Sequence, residues 1–300
     1  MYQYYIRMAE LQKFRESFQN KSKSTQHVYN SNYKRLRDFL GDDIVNVSQK
    51  NIIKIIQDNV DNLNTQQSLI NVAHLVRKQN GAAINELDEA RLKNRTNINK
   101  KVYEANTNLI NKLPSYDTLV GFVDDLLANK KYVQYIINYL ILYYQVRNAD
   151  VNFDFVTLKK DTKDDTKNYL WFSATTKTVH YIRNIYKTAH RVGPDGTVTG
   201  YGQKHIKITD PKFLDVMKIL VKHQKTEKKP VVFIPNPKTV AYFVQTNTYQ
   251  GLGETMYFKI VVNHFRTEPN MLKQISYNRG TDINTILESY DIESEPINED

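Results

Sequence analysis

Three hundred residues, 40% hydrophobic and 25% charged, suffice for one large domain or two and are too apolar for a disordered chain. With no cysteine, the chain has no disulfide, no thiolate zinc site and no thiol nucleophile. Lys and Arg outnumber Asp and Glu by 42 to 32, a net charge of +10 that suits a polyanion such as nucleic acid, although a merely soluble basic protein has the same balance.

The N-terminal stretch MYQYYIRMAELQKFRE has no apolar run followed by a small-residue cleavage site, so no secretory signal is expected. From Glu10 to Lys78 the pattern is helical. Apolar residues recur three and four apart at Tyr29, Tyr33, Leu36 and Phe39–Leu40, and again at Ile52, Ile53, Ile56 and Val60. Ser24 or Thr25, Ser48 and Thr65 are the expected N-caps of three helices, and Gly41 and Gly81 fall where helices close. Residues 82–112 permit a helix but are polar on most faces, which suits a bridging helix or linker. Pro114 breaks that segment and sets the expected boundary. A helical domain would then cover 1–112, a second domain 113–290, and an acidic tail 291–300. The first segment carries 18 basic and 11 acidic residues, the second 24 and 16, so one continuous polyanion could touch both.

Two apolar helices follow, Asp117 to Leu127 and Tyr132 to about Gln145. The longest apolar stretch, Tyr132 to Val146, is interrupted by Gln134, Asn138 and Gln145 and is shorter than the roughly 20 residues of a membrane span. Strands are expected at Phe153–Leu158, Tyr169–Ser173, Thr178–Ile185 and His205–Ile208, with polar turns and a GPDG turn between them. Pro211 to Val221 returns to helix, VVFI between prolines reads as a short strand, and helices follow near Thr239–Gln245, Thr255–Arg266 and from Ile283. No Gly-rich phosphate loop, H-E-x-x-H, G-x-S-x-G or calcium loop occurs. Dispersed basic residues at element ends, with a tyrosine near the C-terminus, remain. Such a set fits phosphodiester chemistry, in which cations hold non-bridging oxygens while a side-chain oxygen attacks phosphorus.

Three stretches resemble the tyrosine recombinase/integrase family. In LYYQVRNADV an apolar helix runs into Arg147 with Asp150 three residues on, similar to the family's first arginine box. The stretch TVHYIRNIYKTAHRVG…GYGQKHIKIT is similar to its β2–β3 ribbon, with Lys187 as the candidate lysine and Lys177, Lys204 and Lys207 as competitors. In VVNHFRTEPNMLKQISYNRGTDINTILESY, Arg266 resembles the arginine of the H-x-x-R box. RGTDINTILESY resembles the G-H-x-S box followed by the tyrosine, with Gly280 ten residues and Thr281 nine before Tyr290. Asn263 stands where the box has its histidine, His264 is displaced by one, and Thr281 replaces the usual His or Trp. The Asn/Ile/Tyr-rich style resembles integrases of large DNA viruses, virophages and mobile elements.

The resemblance implies a mainly α fold with a small antiparallel β-sheet (α+β), in which a helical core-binding domain precedes the catalytic domain. It implies a site-specific recombinase or integrase that cuts and rejoins double-stranded DNA through a 3′-phosphotyrosyl link, as a homo-oligomer, a tetramer on two sites, wherever in the cell its DNA lies. Tyr290 would attack, Arg147 and Arg266 would stabilise charge, Lys187 would protonate the 5′ oxygen, and Asn263, His264 and Thr281 would supply further hydrogen bonds. No metal, nucleotide or other cofactor is expected. A type IB topoisomerase, a non-catalytic DNA-binding relative and a viral genome-binding structural protein are the alternatives.

Overall fold

The computed structural model describes residues 10–41, 43–109, 112–190 and 197–291. The GPDG turn and the tail beyond Asp291 lie outside the described residues. The chain divides into two compact units, one within 1–105 and the other from 106 onward.

In the first unit a helical segment over 10–16 precedes α1 (Lys23–Leu40), α2 (Gln49–Asn59), α3 (Leu63–Gln79) and the start of α4 (Asn85–Thr107). The periodic apolar residues meet in one core, where Phe14, Leu36, Ile52, Ile56, Leu69 and Val76 are buried. Ser48 caps α2 as its position predicts. For α1 and α3, however, the caps are Ser22 and Asn62, whose side chains accept from the N–H of Thr25 and Thr65. In both helices a residue expected as the cap donates its N–H, because each helix begins one turn earlier than its apolar stripe. Arg77 is buried and its guanidinium donates to the carbonyls of Ile44, Val45, Val47 and Ala83, closing a loop that has no ladder of its own. The polar pattern of α4 leaves Leu92 exposed.

The second unit opens with α5 (Tyr116–Ala128) and α6 (Tyr132–Tyr144). Every residue from Tyr135 to Leu142 is buried, which is why α6 is apolar on nearly all sides. β1 (Phe153–Val156), β2 (Asn168–Ser173), β3 (Thr178–Arg183) and β4 (Lys204–Ile208) form one sheet in that order. β2–β3 and β3–β4 are antiparallel, but β1 and β2 run parallel, so the sheet is mixed rather than wholly antiparallel. The segment 157–167 carries the chain back to the same end before β2 begins, which a tight hairpin could not do. α7 (Pro211–Glu227), α8 (Val240–Asn247), α9 (Glu254–His264), α10 (Pro269–Arg279) and α11 (Ile283–Tyr290) complete the unit. VVFI is not a strand. Pro230 and Pro235 flank it, each lacking a ladder donor, and it instead buries Phe233 and Ile234 in the core, with Phe233 4.9 Å from the Phe153 ring. Among the described residues no helix is long and apolar enough to cross a membrane.

Candidate functional site

At the end of α6 the chain turns at Gln145, whose φ is 48°, and enters the 3₁₀ turn Asn148–Val151 through Arg147. The Arg147 N–H donates to Asp150 Oδ2 at 3.1 Å, so the acidic residue three positions on caps the turn. The guanidinium points across the unit. Nη1 donates to the Arg279 carbonyl at 2.7 Å and Nη2 to Thr281 Oγ1 at 2.9 Å. Two residues singled out by the boxes, Arg147 and Thr281, are thereby in direct contact.

Three further cations converge on the same place. Arg183 ends β3 fully buried, pairs with the Asp150 carboxylate and donates to the Asn278 carbonyl. Arg279 ends α10 buried, donates from Nη2 to Glu254 Oε1 at 2.7 Å and lies over the Phe258 ring at 4.3 Å. Glu254 Oε2 accepts from the Asn148 N–H at 2.9 Å, which ties α9 to the Arg147 turn. Lys204 opens β4 directly opposite Arg183 and is 1% exposed. Its Nζ has no hydrogen-bond partner and faces the rings of Tyr277, Tyr201 and Tyr186 at 4.5, 5.1 and 5.3 Å. Burial, and then the positive charges of Arg183 and Arg147, push its pKa down to about 8. Burial, followed by the charge of Arg279, lowers the pKa of Arg147 in the same sense. The four cations Arg147, Arg183, Lys204 and Arg279 share two carboxylates, Asp150 and Glu254, so the cluster carries uncompensated positive charge.

Gly280 makes this convergence possible. It closes α10 with φ 64°, and a Cβ there would stand 2.7 Å from Thr188 Oγ1 and 2.9 Å from Tyr186 Cε2. The bare Cα lets the segment after β3 press against the α10–α11 junction, where the Thr188 hydroxyl donates to the Gly280 carbonyl at 2.7 Å.

The other candidates have the following surroundings. Lys187 is exposed, one residue past the buried Tyr186, and Lys204 is the lysine inside the cluster. Arg266 pairs with the buried Asp291 carboxylate at 3.6 Å. Tyr290 sets its ring edge-on to Phe258 at 4.7 Å, and Arg279 lies over that same ring. Asn263 is half-buried in the last turn of α9, and His264 is exposed and stacks on Tyr116 at 4.3 Å. Arg183, Arg279 and Glu254 were not singled out from the sequence. Lys204 had a legible signal, since in KHIKI a period of two puts it on the same side as the buried Ile206 and Ile208. A separate, open cavity of 820 Å³ lies in the first unit, with Arg15, His27, Lys34 and Arg37 among its lining.

No protein-family model and no curated protein matches this chain. Among solved structures, the crystal structure of XerA recombinase is similar to it with a TM-score of 0.35 and 11% identity, over 94% of this chain and 93% of that one.

Proposed function

We propose that the second unit binds a phosphodiester of double-stranded DNA and transfers it to a tyrosine, the chemistry of site-specific strand exchange. The observation that carries this reading is the cluster of four cations, three of them buried, over two carboxylates, in which Lys204 holds a dry ammonium with no hydrogen-bond partner. Desolvated positive charge of this kind is costly to the free protein and is stabilised by an anion. A guanidinium has five N–H donors, so Arg147 can stay anchored on Arg279 and Thr281 and still hold non-bridging oxygens. The Thr281 hydroxyl accepts from Arg147 and is free to donate its own hydrogen to the same phosphate. Lys204, with its pKa pushed down to about 8, is protonated at neutral pH yet releases its proton readily, which suits a general acid for the departing 5′ oxygen.

Two tyrosines compete for the attack: Tyr290, named by the sequence resemblance, and Tyr277, on the wall of the Lys204 pocket. Arg266 would act from the Tyr290 side. Strand exchange would require assembly on two DNA sites, as a tetramer, and would serve integration of viral or mobile-element DNA. A second reading, a non-catalytic protein that uses the same cluster as a phosphate anchor, is favoured by His264, which stacks on Tyr116.

The test takes duplexes selected for binding from a random library and rebuilds each with a nick, so that the cleaved fragment diffuses away. A covalent, protease-sensitive adduct is the expected result. Bound duplex with no adduct supports the anchor reading, and relaxation of supercoiled plasmid without a second site would point to a topoisomerase.

A further inference from the structure

Resting on the strand-transfer reading, we infer that Tyr277, not Tyr290, supplies the attacking oxygen. Attack requires a phenol within reach of the phosphate and held there, because a nucleophile misplaced by even about 1 Å loses much of its advantage. Tyr277 satisfies both conditions. It lies in the last turn of α10, and the two residues that follow it are gripped by the cluster: Arg183 donates to the Asn278 carbonyl and Arg147 to the Arg279 carbonyl. The backbone carrying its side chain is therefore clamped by two of the cations proposed to surround the phosphate. Its ring stands 4.5 Å from Lys204 Nζ, yet the residue is 53% exposed, so DNA can approach it from solvent.

The other tyrosines of the pocket are less suited. Tyr186 is buried and its hydroxyl donates to the Gly202 carbonyl at 2.7 Å. Buried Tyr181 donates to the Asp150 carbonyl at 2.6 Å. Tyr257 is fully buried and donates to Asn138 Oδ1 at 3.0 Å. Tyr201 also faces Lys204, at 5.1 Å, but lies in an irregular segment whose bonds, from the Tyr201 and Gly202 N–H groups to the Thr188 and Ala189 carbonyls and from the Tyr186 hydroxyl to the Gly202 carbonyl, involve none of the cluster's arginines. Tyr290 meets Phe258, whose ring also underlies Arg279.

In the step itself, the Tyr277 phenol oxygen forms a bond to phosphorus while the bond from phosphorus to the 5′ oxygen breaks. The Lys204 ammonium gives its proton to that oxygen, and the phenol proton, released to solvent, restores the ammonium. No co-reactant is consumed, and the phosphotyrosyl link conserves the phosphodiester for rejoining.

The experiment incubates the full chain with the selected nicked duplexes and maps the adduct by peptide mass spectrometry, comparing wild type with Tyr277→Phe, Tyr290→Phe and Tyr201→Phe. We expect the adduct on Tyr277, its loss by at least about 1,000-fold in Tyr277→Phe with duplex affinity within about threefold, and an adduct that still maps to Tyr277 in the other two variants. An adduct on Tyr290 or Tyr201, or an undiminished adduct in Tyr277→Phe, overturns the assignment and leaves strand transfer standing. If wild type forms no adduct on any duplex it binds, both fall. Nitration of exposed phenols gives a readout independent of turnover: bound duplex should shield Tyr277, and full labelling of Tyr277 in the complex would exclude it from the site.

Discussion

Replacing Lys204 with methionine removes a cation that the fold keeps dry, and the free protein should become more stable while losing its chemistry. The lysine pKa falls from the ordinary 10.5 to about 8, which corresponds to about 3 kcal/mol of desolvation and repulsion borne by the folded state. The three tyrosine rings around the ammonium return part of that, roughly 0.5 kcal/mol each at these distances. A net gain of roughly 1–2 kcal/mol is expected for Lys204→Met, a rise of a few degrees in Tm for a unit of this size. The gain depends on pH. Below about 8 the lysine is protonated both folded and unfolded, and the folded state carries the full cost. Between about 8 and 10.5 the unfolded chain still holds the proton while the folded chain has lost it, so wild-type stability rises with pH and the gap to the variant closes. Chemical denaturation of both proteins at pH 7 and pH 9.5 measures this. The same samples with added inorganic phosphate should show a larger stabilisation of wild type than of the variant, because an anion in the cluster neutralises Lys204 as well as the arginines that both proteins keep. A variant that is less stable than wild type at pH 7, with the same pH slope, would refute the picture of a dry, uncompensated ammonium.

Gly280→Ala should destabilise the second unit by at least about 2 kcal/mol, since the new Cβ meets a left-handed backbone and stands 2.7 Å from Thr188 Oγ1; urea unfolding checks it. Glu254→Gln leaves the buried Arg279 without its carboxylate and should cost about 3–5 kcal/mol by the same measurement, whereas an unchanged midpoint would mean that Arg279 finds another anion. Arg147→Ala should slow adduct formation by roughly 100-fold or more, with poor rescue by lysine, whereas Arg266→Ala, whose partner is Asp291, should lose far less; equal losses in single-turnover assays would return Arg266 to the cluster.

Periodicity alone made most of the secondary structure legible. Stripes such as Ile52–Ile56 and Leu69–Val76 can only be buried by helix packing, and alternation in KHIKI requires a half-buried strand. The α+β class came with the family resemblance, and the sheet that it implied to be antiparallel is mixed. Box spacing likewise brought out Arg147 and Thr281, which are in contact. Local pattern could not show that β1 joins β2 in parallel, because pairing direction depends on how a connecting segment returns through space. Nor could it assemble the cluster. Arg183, Lys204, Glu254 and Arg279 come from β3, β4, α9 and α10, and apart from Lys204, which the alternation of KHIKI puts with Ile206 and Ile208, each reads in sequence as an ordinary charged residue at an element end. Which lysine is dry and which is solvated, Lys204 or Lys187, depends on β4 lying beside β3 and on Gly280 admitting Tyr186 and Thr188 against α10. Charge separated along the chain becomes a site only when packing removes water from around it, and that desolvation is a property of the tertiary structure alone.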